Sequence, residues 1–101
     1  MRIYISGPIT GHEENAEIRF CNAAIDIEKK FGRETEIINP LLVGGAAAET
    51  AKLTHSEFMK ISFTLMDLCD AVYFMDGWEK SAGCHQEWIY AQNRNMKVVR
   101  E

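Results

Sequence analysis

The sequence has no apolar run long enough to cross a bilayer, no block of like charge and no closely spaced cysteine pair. The first absence argues against a helical membrane span. The second, with 15 acidic against 11 basic residues and a net charge of -4, argues against a surface that grips a nucleic acid polymer, though not against a pocket for one nucleotide. Cys21, Cys69 and Cys84 are odd in number and far apart, so neither a disulfide framework nor a zinc knuckle is expected, and a reducing cytoplasm suits them. His12, His55 and His85 share no ligand spacing, so no metal site is expected. The opening MRIYISGPITG passes from one basic residue and a short apolar run straight into glycine and proline, unlike a signal peptide.

What is present alternates between strand and helix. RIYIS, residues 2 to 6, is rich in β-branched and aromatic types and stops at Gly7-Pro8, which reads as a buried strand. From Glu13 to Phe31 the apolar set Ala16, Phe20, Ala23, Ala24, Ile27 and Phe31 recurs at helical spacing, and Gly32 is a natural C-terminal cap. Glu36 to Asn39 gives a short strand ended by Pro40. LLVGGAAAETAKL, residues 41 to 53, reads as a mobile lid, because its glycines favour a loop while its alanines tolerate helix. Thr54-His55-Ser56-Glu57 fits a capping box, and Phe58, Ile61, Leu65 and Leu68 give the helix it starts an expected apolar face. AVYFM, residues 71 to 75, is a further buried strand. The next helix carries Glu87, with Cys84, Trp88 and Ala91 as its inward face, and MKVVR closes the chain as a strand.

Crossovers long enough to hold a helix imply parallel strands with helices on both faces. The expected fold is one domain over residues 1–101, a small doubly wound α/β sheet of the flavodoxin-like or Rossmann-like kind. In such sheets the ligand crevice lies beyond the carboxyl ends of the strands, where SGPITG, the Asn39-Pro40 pair and GWEKSAG all emerge.

Those loops carry the candidate chemistry. SGPITG lacks the Gly-Lys-Ser/Thr of a Walker loop and the G-x-G-x-x-G of a dinucleotide fingerprint. It suits either a tight turn or a close backbone approach to a phosphate or sugar. Ser81-Ala82-Gly83 stands at a helix N-terminus, where free amides and the dipole favour an anion, but a serine there is also an ordinary N-cap. Glu87, one turn on, either faces the crevice or merely complements the dipole. Cys84 and His85 are adjacent and so point to different sides of the helix, which leaves Cys84 as core.

Taken in order, YISGPITG, the Asn39-Pro40 pair, CDAVYF and GWEKSAGCHQE resemble the nucleoside 2-deoxyribosyltransferase-like superfamily, nearest to a short branch of bacterial and phage proteins and similar also to the 2'-deoxynucleoside 5'-phosphate N-hydrolases. The resemblance implies that Glu87, preceded by the Ser-x-Gly-x-x-x pattern on Ser81 and Gly83, attacks the anomeric carbon of a deoxyribosyl group. It further implies that Ser81 and Gly83 hold a 5'-phosphate or hydroxyl, and that Gly7, Ile9, Thr10 and Gly11 wrap the substrate. No cofactor is implied. The partners implied are a small nucleoside or nucleotide and a second copy of the chain, for which Trp78, Trp88 and Tyr90 offer aromatic area. Three positions depart from the pattern. Ser62 stands where an acidic partner is expected, with Asp67 and Asp70 nearby in sequence. Thr10 replaces an arginine of the hydrolases. Glu101 follows soon after the last strand, where those enzymes continue into a segment that reaches a partner's site. These departures leave open a binding module that kept the pocket.

Overall fold

The computed structural model describes residues 1–9, 11–42 and 53–101. Its strands are β1 (Arg2–Ser6), β2 (Glu36–Ile38), β3 (Ala71–Phe74) and β4 (Lys97–Arg100), and its helices are α1 (Ala16–Phe31), α2 (His55–Asp67) and α3 (Ala82–Asn93), with a 3-10 turn at Trp78–Lys80 before α3. The strands form one parallel sheet in the order β2-β1-β3-β4. This is the doubly wound α/β arrangement. The chain runs outward in one direction from β1 to β2 and in the other from β3 to β4, so the strand order reverses between β1 and β3. There the loops after Ser6 and Phe74 diverge and leave a crevice, the two residues being paired across the strands.

Alternation along β1 divides its side chains between two cores. Ile3 and Ile5 point to one face, with Phe20, Ala23 and Ile27 of α1 and with Ala71 and Tyr73 of β3. Tyr4 joins the other, with Met66 of α2, Cys84 and Ala91 of α3, and Val72 and Phe74. Residues such as Phe20 and Ile27 are wholly buried, each contributing roughly 1.5–3 kcal/mol by leaving water.

Local signals set most boundaries. Gly32 closes α1 with a positive φ of 97° and donates its amide to the Glu28 carbonyl. The capping box at α2 is complete: Thr54 Oγ1 accepts from the Glu57 amide at 3.1 Å, and Glu57 Oε1 accepts from the Thr54 amide at 2.9 Å. Asn39 Oδ1 accepts from the Leu41 amide and residues 40–42 are helical, so the Asn39-Pro40 pair ends a strand and also starts a helical turn. The lid expected over residues 41 to 53 otherwise lies outside the described residues.

Two expectations need correction. Helix α1 begins at Ala16 rather than Glu13, because His12 to Asn15 are held in turns by the His12 amide on the Ile9 carbonyl and the Asn15 amide on the His12 carbonyl. The face of α2 set into the core is Met59 and Met66, whereas Phe58, Ile61 and Leu65 are half-buried and Leu68 is 56% exposed. The helix leans on the sheet by one edge and overhangs the crevice with the apolar stripe. The aromatic residues expected to offer interface area also have partners within the chain, and Trp88 and Tyr90 stay partly exposed. Trp78 is buried and stacks on Trp88 at 4.6 Å with Arg100 above both rings, and Tyr90 stacks on Phe63 at 4.2 Å. No described helix is long and apolar enough to cross a membrane.

Candidate active site

Helix α3 turns Cys84, Glu87 and Ala91 inward, positions spaced by three and four that share one helical face. Burying a carboxylate on that face is costly unless donors receive it. They come from β1, whose residues 4 and 6 share a face: Tyr4 Oη donates to Glu87 Oε2 at 2.6 Å, and Ser6 Oγ donates to Glu87 Oε1 at 2.6 Å. The Ser62 hydroxyl of α2 faces the same pair and favours the ionised form of each. These donors are neutral, and no cation pairs with Glu87 among the described salt bridges. Burial therefore dominates and raises the Glu87 pKa, with the hydroxyls of Ser6, Tyr4 and Ser62 opposing it. The Tyr4 phenol is pushed well above its ordinary value, first by burial and then by the Glu87 charge, so it stays protonated and acts as a donor.

Glu87 keeps 7% of its surface exposed. It lines a cavity of about 260 Å³ together with Gly7, Ile9, Ser81 and Gly83, under a roof formed by Phe58, Ile61 and Leu65. Five of the residues expected at the site thus meet. Thr10 lies outside the described residues. Gly11 lines neither described cavity, and its amide is held by Glu13 Oε1 at 2.9 Å in a turn with φ of 85°.

Two positions are fixed by packing. A Cβ on Gly7 would run into the Met75 side chain at Sδ and come within 3.1 Å of the Phe20 ring. Ser81 caps α3, its Oγ accepting from the Cys84 amide at 3.3 Å, which leaves its own proton free to donate into the cavity. Cys84 is core, its thiol pKa raised by burial. Among the described residues, no three histidine, cysteine or acidic side chains cluster as metal ligands.

Tyr4 and Ser6 were not singled out from the sequence. The available signal was two hydroxyls two residues apart in an otherwise apolar buried strand, each of which needs a partner. The identity of that partner, more than eighty residues away, is not local information. Chemically, the site presents a buried carboxylate oriented by hydroxyl donors, in a cavity that is otherwise largely apolar. Such a group captures or stabilises positive charge developing on a neighbouring carbon.

No curated protein matches the chain in sequence. The family described as a domain of unknown function, DUF4406, matches residues 1–100, essentially the full length, and the chain belongs to that family.

Proposed function

We propose that the protein cleaves or exchanges the N-glycosidic bond of a deoxynucleoside or deoxynucleoside 5'-monophosphate, with Glu87 as nucleophile. The observation that carries the reading is a buried carboxylate, held by Tyr4 and Ser6 without a cation, on a residue that lines a cavity together with Gly7, Ser81 and Gly83. Scission of the bond builds oxocarbenium character at the anomeric carbon. One Glu87 oxygen forms a bond to that carbon as the carbon–nitrogen bond breaks, and the base leaves with the electron pair and takes a proton from water. Water or a second base then attacks the same carbon and frees Glu87. Incubation with a panel of deoxynucleosides and monophosphates is expected to release or exchange base, and Glu87→Gln to abolish it. Absence of any Glu87-dependent product removes the proposal.

A second reading has its own observation. Glu87 is the sole carboxylate on the cavity wall among the described residues, and Ser62 stands where a second acid was expected. A pocket that binds a nucleotide without turnover fits that lining. Calorimetry separates the two, because affinity that survives Glu87→Gln with no product from the wild type favours the binder. The remaining elements of the proposal are a cytoplasmic location and a homodimer. The dimer rests on the resemblance rather than on the aromatic residues, and sedimentation at high concentration tests it.

A further inference from the structure

The wall around Glu87 is one-sided in charge. Among the described residues that line the 260 Å³ cavity, Glu87 brings the one carboxylate, and no lysine or arginine joins it. Basic side chains gather instead around an adjoining cavity of about 450 Å³, which shares His55, Ser81 and Gly83 with the first and adds His12, Arg19 and Lys80. Over Glu87 the wall is apolar, with Phe58, Ile61 and Leu65 as its roof and Ile9 and Met59 beside them. A buried carboxylate is stabilised less by neutral hydroxyls than by a cation, and the described donors to Glu87 are hydroxyls.

A neutral base departs readily only with a proton on its ring. The same wall is poorly equipped to give one. The Tyr4 phenol is committed to Glu87 at 2.6 Å, and burial with that charge holds its pKa well above the ordinary value. Burial raises the Cys84 thiol too, and Ser62 and Ser81 offer hydroxyls alone. His55 stands at the Gly83 end of the wall, its Cε1 3.9 Å from where a Cβ on Gly83 would lie. A ring that already carries a positive charge needs none of these groups.

We infer that the cavity selects an N-glycoside whose leaving ring is a cation, a pyridinium-type ring joined to the pentose through its ring nitrogen. The inference rests on the glycosidic reading above and names its substrate class. With the anomeric carbon about 3–3.5 Å from the attacking oxygen, the charged nitrogen lies one bond beyond it, close enough for strong attraction in apolar surroundings. One Glu87 oxygen bonds to the anomeric carbon as the carbon–nitrogen bond breaks. The electron pair of that bond returns to the ring nitrogen, and a neutral pyridine leaves without taking up a proton. Water then attacks the same carbon, frees Glu87 and yields its proton to the solvent.

The binding test uses 1-methylnicotinamide, a cation, and nicotinamide, its neutral counterpart, so that no bond is broken. By calorimetry the wild type is expected to bind the cation at least about tenfold tighter, and Glu87→Gln to lose that preference. Equal affinities, tighter binding of nicotinamide, no detectable binding of either, or a preference that survives Glu87→Gln overturns the inference. The turnover test needs only the wild type, and so stands even if Glu87→Gln does not fold. Its kcat/KM for the 2'-deoxyriboside of nicotinamide is expected to exceed that for deoxyadenosine or deoxycytidine by about a hundredfold or more. Comparable values for all three overturn the substrate class and leave the glycosidic activity standing. A Glu87-dependent preference for the cation in binding, without ring release from any substrate, upholds the cation pocket and removes the activity.

Discussion

The two faces of the sheet each hold a tyrosine bonded to a carboxylate at 2.6 Å, Tyr73 to Asp26 and Tyr4 to Glu87, yet the two pairs are opposites in electrostatics. Asp26 is partly exposed and also pairs with Lys30 at 2.9 Å. Its pKa is lowered, first by the Tyr73 hydrogen bond and then by Lys30. Glu87 has neutral donors and no cation, and burial raises its pKa. Water and a lysine settle the first pair at little cost. The second keeps a carboxylate in a state that weakens the fold at neutral pH, a pattern typical of working sites. The difference is the one expected between a structural use of the motif and the chemical use proposed for Glu87.

The largest effect that sharpens this contrast is on Glu87. Glu87→Gln is expected to lower base release by about a thousandfold or more and also to stabilise the protein at neutral pH. The sign follows from the raised pKa in the folded state. The protonated acid favours folding below the ordinary carboxylate range, and that contribution is lost as pH rises through the folded value. Urea midpoints of the two proteins should therefore agree near about pH 4 and diverge towards about pH 7.5, with the glutamine variant ahead. A wild type that is the more stable at neutral pH would break the comparison.

Tyr4→Phe comes next. It leaves the buried carboxylate short of one donor, and is expected to cost about 1–3 kcal/mol in stability and about a hundredfold in kcat. Gly7→Ala tests the packing beside the site. Crowding against Met75 and Phe20 should destabilise by about 1–3 kcal/mol, read by urea denaturation, and narrow the cavity mouth. The smallest effect belongs to the other face. Asp26→Asn keeps an oxygen for Tyr73 while losing the pairing with Lys30, and should cost below about 1 kcal/mol with base release unchanged. Because the Asp26 pKa is lowered, its contribution is present above the ordinary carboxylate value and fades as pH falls through the folded one, the reverse of Glu87. A loss of activity in Asp26→Asn would erase the distinction between the faces.

Much of the architecture was legible because its causes are local. The stripe Ala16, Phe20, Ala23 and Ile27 buries one side of α1 wherever the helix docks, Gly32 ends it and the Thr54 box starts α2. The expected apolar face Phe58, Ile61 and Leu65 lines a cavity, with Leu65 also packed against the core. Periodicity reveals which residues share a face, but not whether that face meets a sheet or an opening. Glu87 and Ser81 were legible as an ordered motif, whereas the partners of Glu87 were not.

The sequence by itself determined the alternation of strands and helices, the caps and turns, and the carboxylate one turn into α3, since each depends on neighbours within a few residues. Only the tertiary structure decided that Tyr4 and Ser6 meet Glu87, that the Gly11 amide is held by Glu13, and that Arg19, Lys80, His12 and His55 share a wall. Those meetings follow from the order in which parallel strands pair and from the elements that cross between them, so residues far apart in sequence become neighbours through the sheet rather than through any spacing in the chain.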